Sequence, residues 1–123
     1  MVKVVIKIPF KTPTINHLYG QRGFHKYLTK EAKELRKEIE EIILKIKCKG
    51  WVLLNTNNLE VVVEIYENWY TKNGDVKKKD VANREKFLID SIFNALGIDD
   101  KGIFKHTMIK KQSDKEYAII TIK

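Results

Sequence analysis

The sequence predicts a single α+β domain over residues 1–123, in the order β-α-β-α-β-β, with two helices packed on a mixed or mostly antiparallel sheet. Three observations predict it. Apolar residues alternate with polar ones in four short segments, as half-buried strands require. They recur every three or four positions in two longer segments, as amphipathic helices require. A chain of 123 residues is long enough to bury one core and too short for two, and no repeat or linker interrupts it.

The first strand is "MVKVVIKIPF", with Val2, Val4, Ile6 and Ile8 on one side, Lys3 and Lys7 on the other, and Pro9 as its stop. "FKTPTINHLYGQRGFHKY" mixes proline, glycine, polar and aromatic residues and reads as a long loop, a length that in a small domain points to function. The first helix is "LTKEAKELRKEIEEIILKIK". Thr29 is its N-cap, and Ala32, Leu35, Ile39, Ile42, Ile43 and Ile46 form its apolar stripe. The pattern breaks around Gly50. A second strand, "NLEVVVEIYENWY", carries Leu59, Val61, Val63 and Ile65 in register, and "TKNGDVKKK" after it is a basic turn. The second helix runs from near Asp80 to Gly97, a suitable C-terminal stop. "IFKHTMIKK" and "EYAIITIK" are the closing strands, with "QSDK" between them expected as a hairpin turn.

The formal net charge of +8 and the pI near 9.5 favour polyanionic partners, because clustered cations gather phosphodiesters and release counterions on binding. A Lys-rich composition alone also produces such a charge. No apolar run approaches the roughly 18 residues of a spanning helix, and the opening alternates too strictly for a signal peptide. The single cysteine, Cys48, excludes an internal disulfide and reads as an incidental or buried thiol in a reducing cytoplasm. His17, His25 and His106 show no zinc spacing.

The second helix has an ordered polar face. At about 100° per residue, Leu88, Ile92, Ala95 and Leu96 face the core, while Asn83, Lys86, Asp90 and Asn94 form one opposite stripe. Phe87 falls inside that stripe, which suggests a partly covered surface ring, a subunit contact or a contact to a base. Asp80 alone is an N-cap, but an acidic pair, Asp99 and Asp100, follows the same helix. At ~1.5 Å per residue the two helix ends lie roughly 25 Å apart, so the acids meet only through a returning chain, a bent loop or a second subunit. Carboxylates are the hard ligands Mg²⁺ prefers, one or two per ion, with water and phosphate completing the shell. A lysine beside them suits charge developing on phosphorus oxygens. The structural alternative is a capped helix, an i,i+4 pair of Lys86 with Asp90, and a "DD" turn.

These residues resemble the RusA family of Holliday junction resolvases, whose signature is a D-x-D-N-x-x-K-x-x-x-D helix followed by a D-D pair. "DVANREKFLID" supplies Asp80, Asn83, Lys86 and Asp90 at that spacing, and "GIDDKGIFK" supplies Asp99 and Asp100. The opening "PTINHLYGQRGFHKYLTKEAKELRKEI" is similar to the family's loop and first-helix start, so the likeness covers nearly the whole chain. It implies a homodimeric, Mg²⁺- or Mn²⁺-dependent endonuclease that binds four-way DNA junctions and cuts opposed strands. By position, Asp80, Lys86 and Asp100 become catalytic residues, Asp80, Asp99 and Asp100 metal ligands, and Asn83 and Asp90 supporting groups. Ala82 stands where the family has the second aspartate of its motif.

A basic frame surrounds the acids. Lys77, Lys78 and Lys79 precede them, Lys101 and Lys105 follow, and Arg22 and Lys26 lie in the long loop. Such a frame grips phosphates without reading sequence, as recognition of a junction by shape requires. The competing readings are an inactive relative that binds branched DNA and a small RNA-binding protein whose acids are caps and turns.

Overall fold

A computed structural model describes residues 3–11, 19–23, 25–48, 56–77 and 82–123, with backbone alone for Tyr19, Gln21, Arg22, His25, Lys26, Cys48, Ala82 and Asn83. In chain order its elements are β1 (Val4–Ile8), β2 (Tyr19–Arg22), β3 (His25–Leu28), α1 (Lys30–Cys48), β4 (Leu59–Glu67), α2 (Ala82–Leu96), a 3₁₀ turn (Asp100–Gly102), β5 (Ile103–Gln112) and β6 (Tyr117–Ile122). The architecture is α+β, as predicted, and the chain divides into two compact units.

The first unit is a four-stranded mixed sheet in the order β1-β6-β4-β5. β6 pairs antiparallel with both β1 and β4, and β5 runs parallel to β4. Alternation decides which side of each strand is covered: Val4, Ile6 and Ile8, then Leu59, Val61, Val63 and Ile65, then Ala118, Ile120 and Ile122 are all buried. On the opposite face the Tyr66 and Tyr117 rings stack at 4.4 Å with 9° between their planes. The Tyr66 hydroxyl donates to Glu64 Oε2 at 3.1 Å. Loss of water around the phenol, then the neighbouring Glu64 carboxylate, push its pKa above the ordinary 10.0.

The expected hairpin of the last two strands is not formed. β4 lies between β5 and β6, and residues 113–116 step across its end, where the Ser113 amide donates to Glu67 O at 3.0 Å. Two strand spacings amount to about 10 Å, a distance that four residues span easily, so a short turn-rich link does not by itself dictate pairing of its flanking strands. Trp69 ties β4 to β5 beyond the ladder: its indole Nε1 donates to Ile65 O at 3.2 Å and Lys111 O at 3.0 Å.

The second unit contains the β2–β3 hairpin and the two helices. The hairpin lies where the sequence reading placed only loop. Arg22 pairs with His25 across a two-residue link that begins at Gly23, whose φ of 61° suits glycine. Tyr27 covers Gly20 on the opposite strand so closely that a Cβ there would strike its ring. α1 starts as predicted, with the Ala32 amide donating to Thr29 Oγ1 at 3.2 Å. Ala32, Ile39 and Ile43 are its buried residues. Cys48 closes α1, and its side chain lies outside the described residues.

α2 is buried on most of its circumference. Phe87, Leu88, Ile89, Ile92, Phe93 and Leu96 are all covered, and so are Arg84 and Ser91. The reading of Phe87 as a surface or contact ring is therefore corrected. It is fully buried, with the Arg36 guanidinium of α1 5.7 Å from its ring centroid, and Arg36 Nε donates to Ser91 Oγ at 3.2 Å. α1 covers a flank of α2 that helical periodicity had assigned to its polar side. Among the described residues, no helix is long and apolar enough to cross a membrane.

Candidate active site

The helix end before the acidic pair is fixed by its hydrogen bonds. Gly97, at φ 74°, donates to Asn94 O at 3.2 Å, and Ile98 donates to Phe93 O at 3.1 Å. These are the two bonds of a Schellman stop, which glycine closes because its left-handed conformation costs it nothing.

Asp99 then caps the 3₁₀ turn, its Oδ1 accepting from the Lys101 amide at 3.0 Å. Gly102 is buried against the backbone of Thr56, where a Cβ would run into the Thr56 carbonyl oxygen. The turn is thus seated by its glycine while Asp99, Asp100 and Lys101 face solvent. The Asp100 carboxylate has no hydrogen bond or ion pair among the described residues, and its backbone carbonyl accepts from the Ile103 amide. The predicted residues Asp99, Asp100 and Lys101 are brought together here. Lys105 follows on β5, held by Glu60 at 3.6 Å.

On α2 the predicted stripe survives in part. Lys86 and Asn94 are exposed and Asp90 is half-buried. Lys86 forms no ion pair among the described residues, so the bland pairing of Lys86 with Asp90 is not made. Asn83 occupies the first turn of α2, with its side chain outside the described residues. Asp80, Lys78 and Lys79 also lie outside them. Lys77 is half-buried, its amide donating to Trp69 O at 2.7 Å. Arg22 and Lys26 sit on facing strands of the hairpin, with only their backbones described.

No three His, Cys, Asp or Glu side chains gather as a metal-binding group among the described residues. The acidic turn nevertheless suits a hard divalent cation. Asp100 offers both carboxylate oxygens and Asp99 its second one, which matches the one or two protein carboxylates Mg²⁺ takes.

One residue of this region was passed over in the sequence. Leu59 pairs with Ile103 but Glu60 pairs with Lys105, so Phe104 is the extra residue of a β-bulge and stands 75% exposed. The available signal was an aromatic at the outset of a strand, flanked by Lys101 and Lys105.

Residues 9–123 match the protein family described as Endodeoxyribonuclease RusA. The chain belongs to the RusA family. The match takes in every element from the hairpin to β6, and with them both the α2 motif and the Asp99–Asp100 turn. RusA proteins are endodeoxyribonucleases that act on branched DNA. No individual curated protein gives a significant match.

Proposed function

We propose that the protein is a Mg²⁺-dependent, structure-specific endodeoxyribonuclease that resolves four-way DNA junctions by paired strand cleavage. The observation that carries this reading is the RusA match over residues 9–123, within which Asp80, Lys86, Asp90, Asp99 and Asp100 keep the motif spacing. In this reading Asp80, Asp99 and Asp100 are the metal-binding acids. Held by these acids, a divalent ion would supply Lewis-acid chemistry to the phosphodiester and to an attacking water. Lys86, exposed and without an ion pair among the described residues, neutralises charge that develops on the phosphorus oxygens. Asn83 and Asp90 support the helix that bears it. Lys77, Lys78, Lys79, Lys101, Lys105, Arg22 and Lys26 hold DNA phosphates. Two opposed strands call for two sites, which a two-fold homodimer in the cytoplasm supplies.

A second reading is favoured by Ala82, which removes one carboxylate from the family motif. The protein is then a weakened or inactive relative that retains branched-DNA binding. A labelled four-way junction incubated with Mg²⁺ or Mn²⁺ separates the two. Paired cuts near the crossover are expected, lost in Asp100→Asn and Lys86→Ala while junction binding persists. Binding without cuts in either metal selects the second reading, and equal affinity for junction, duplex and RNA rejects both.

A further inference from the structure

β5 enters the sheet irregularly. One position of β4 faces two residues of β5, and the surplus residue is Phe104. A bulge removes its residue from the ladder and re-aims its side chain, and such bulges recur beside functional groups. Phe104 is also the most exposed large hydrophobic residue among those described, at 75%. Its ring contributes little to the core, and its position is closely constrained. Two residues earlier Gly102 is seated on the Thr56 backbone, and one residue later Lys105 is engaged by Glu60.

The chemistry around the ring narrows its partner. Lys101, Lys105 and His106 are exposed close by in the chain, and Asp99 and Asp100 begin the same turn. The centre of a protein–protein contact is depleted of charge and asks for contiguous apolar surface, neither of which this segment offers. An aromatic face interleaved with cations is the arrangement that binds unstacked nucleic acid, the ring taking a base and the ammonium groups its phosphates.

We propose that Phe104 stacks on a base left unpaired or unstacked at the branch point, and so positions the strand beside the Asp99–Asp100 turn. This rests on the endonuclease reading and adds a substrate-contacting residue to it. The bulge supplies the outward aim, and the buried glycine keeps the ring from yielding when a base presses on it.

The test uses a four-way junction carrying 2-aminopurine at the crossover, titrated in Ca²⁺, alongside a duplex of the same sequence. Wild-type protein is expected to prefer the junction and to quench the probe. Phe104→Ala and Phe104→Leu are expected to lose about tenfold in junction affinity, within the roughly 5- to 150-fold range of a base–aromatic stack, and to lose the quench. Duplex affinity and thermal midpoint stay at wild-type values, and Phe104→Trp restores binding. Leu keeps the apolar bulk, so a fold defect in the Ala variant alone does not decide the matter. Junction affinity and quench within twofold of wild type in Phe104→Leu overturn the proposal and leave the nuclease reading standing. A shift of Phe104→Leu from dimer to monomer at unchanged quench also overturns it, by assigning the ring to a contact between copies. Wild-type protein that does not prefer the junction sinks the nuclease reading itself, and this inference with it.

Discussion

Arg36 Nε donates a hydrogen bond to Ser91 Oγ at 3.2 Å, joining the two helices of the second unit at a fully buried hydroxyl. The two partners differ in exposure, and that difference predicts unequal costs. Ser91→Ala leaves the half-exposed Arg36 able to find water, for a loss of about 0.5–1.5 kcal/mol. Arg36→Ala strands the buried hydroxyl and strips the cover from Phe87, for about 1–3 kcal/mol. Urea unfolding of both variants checks the order, and equal losses would count against the asymmetry.

Gly97 ends α2 at φ 74°, and nothing lies within 4 Å of where a Cβ would stand. The cost of Gly97→Ala is therefore backbone strain alone, about 1–2 kcal/mol. Gly97→Asn should recover part of it, because Asn tolerates the left-handed region. Thermal unfolding of the pair tests this, with indistinguishable midpoints as the contrary result.

Gly102 presents the opposite case. Its φ is not positive, yet a Cβ would meet the Thr56 carbonyl oxygen, a backbone atom that cannot rotate aside. Gly102→Ala is expected to lose about 1–3 kcal/mol through overpacking and to shift the acidic turn. Junction cleavage should fall with it. Full stability in a urea titration would show that the segment around Thr56 yields freely.

The raised pKa of Tyr66 sets a sign for alkaline stability. The folded state holds the phenol proton more tightly than the unfolded chain, whose value is near 10.0. Its contribution is complete below that value and is lost as pH climbs through the higher folded one. Tyr66→Phe should therefore flatten the fall in stability above pH 10 relative to wild type. Chemical denaturation at pH 9 and pH 11 reads the difference, and parallel declines would remove the basis for it.

Periodicity made most of the fold legible. The alternation of Val4, Ile6 and Ile8, the Thr29 cap and the Gly97 stop all act locally, within a few bonds of the residues that announce them. What stayed hidden depends on distant chain. The insertion of β4 between β5 and β6 is decided by pairing over many residues, and burial of Phe87 by a helix that lies elsewhere in the sequence. The short hairpin at Gly23 was masked by a stretch with no apolar alternation. At the site, the sequence indicated the residue types and their spacing. The exposure of Asp100, the lack of a Lys86–Asp90 pair and the outward aim of Phe104 are matters of geometry that no spacing encodes.

Val4 pairs with Ile122, so among the described residues β1 finds its one sheet neighbour in β6. During synthesis β1 has no described ladder to join until β6, more than a hundred residues further on, has been made. Completing the sheet unit consequently requires a loop closure of more than a hundred residues, its slow step. A nascent chain arrested just short of β6 would carry β1 as an unsatisfied edge, the form in which a chaperone would meet it.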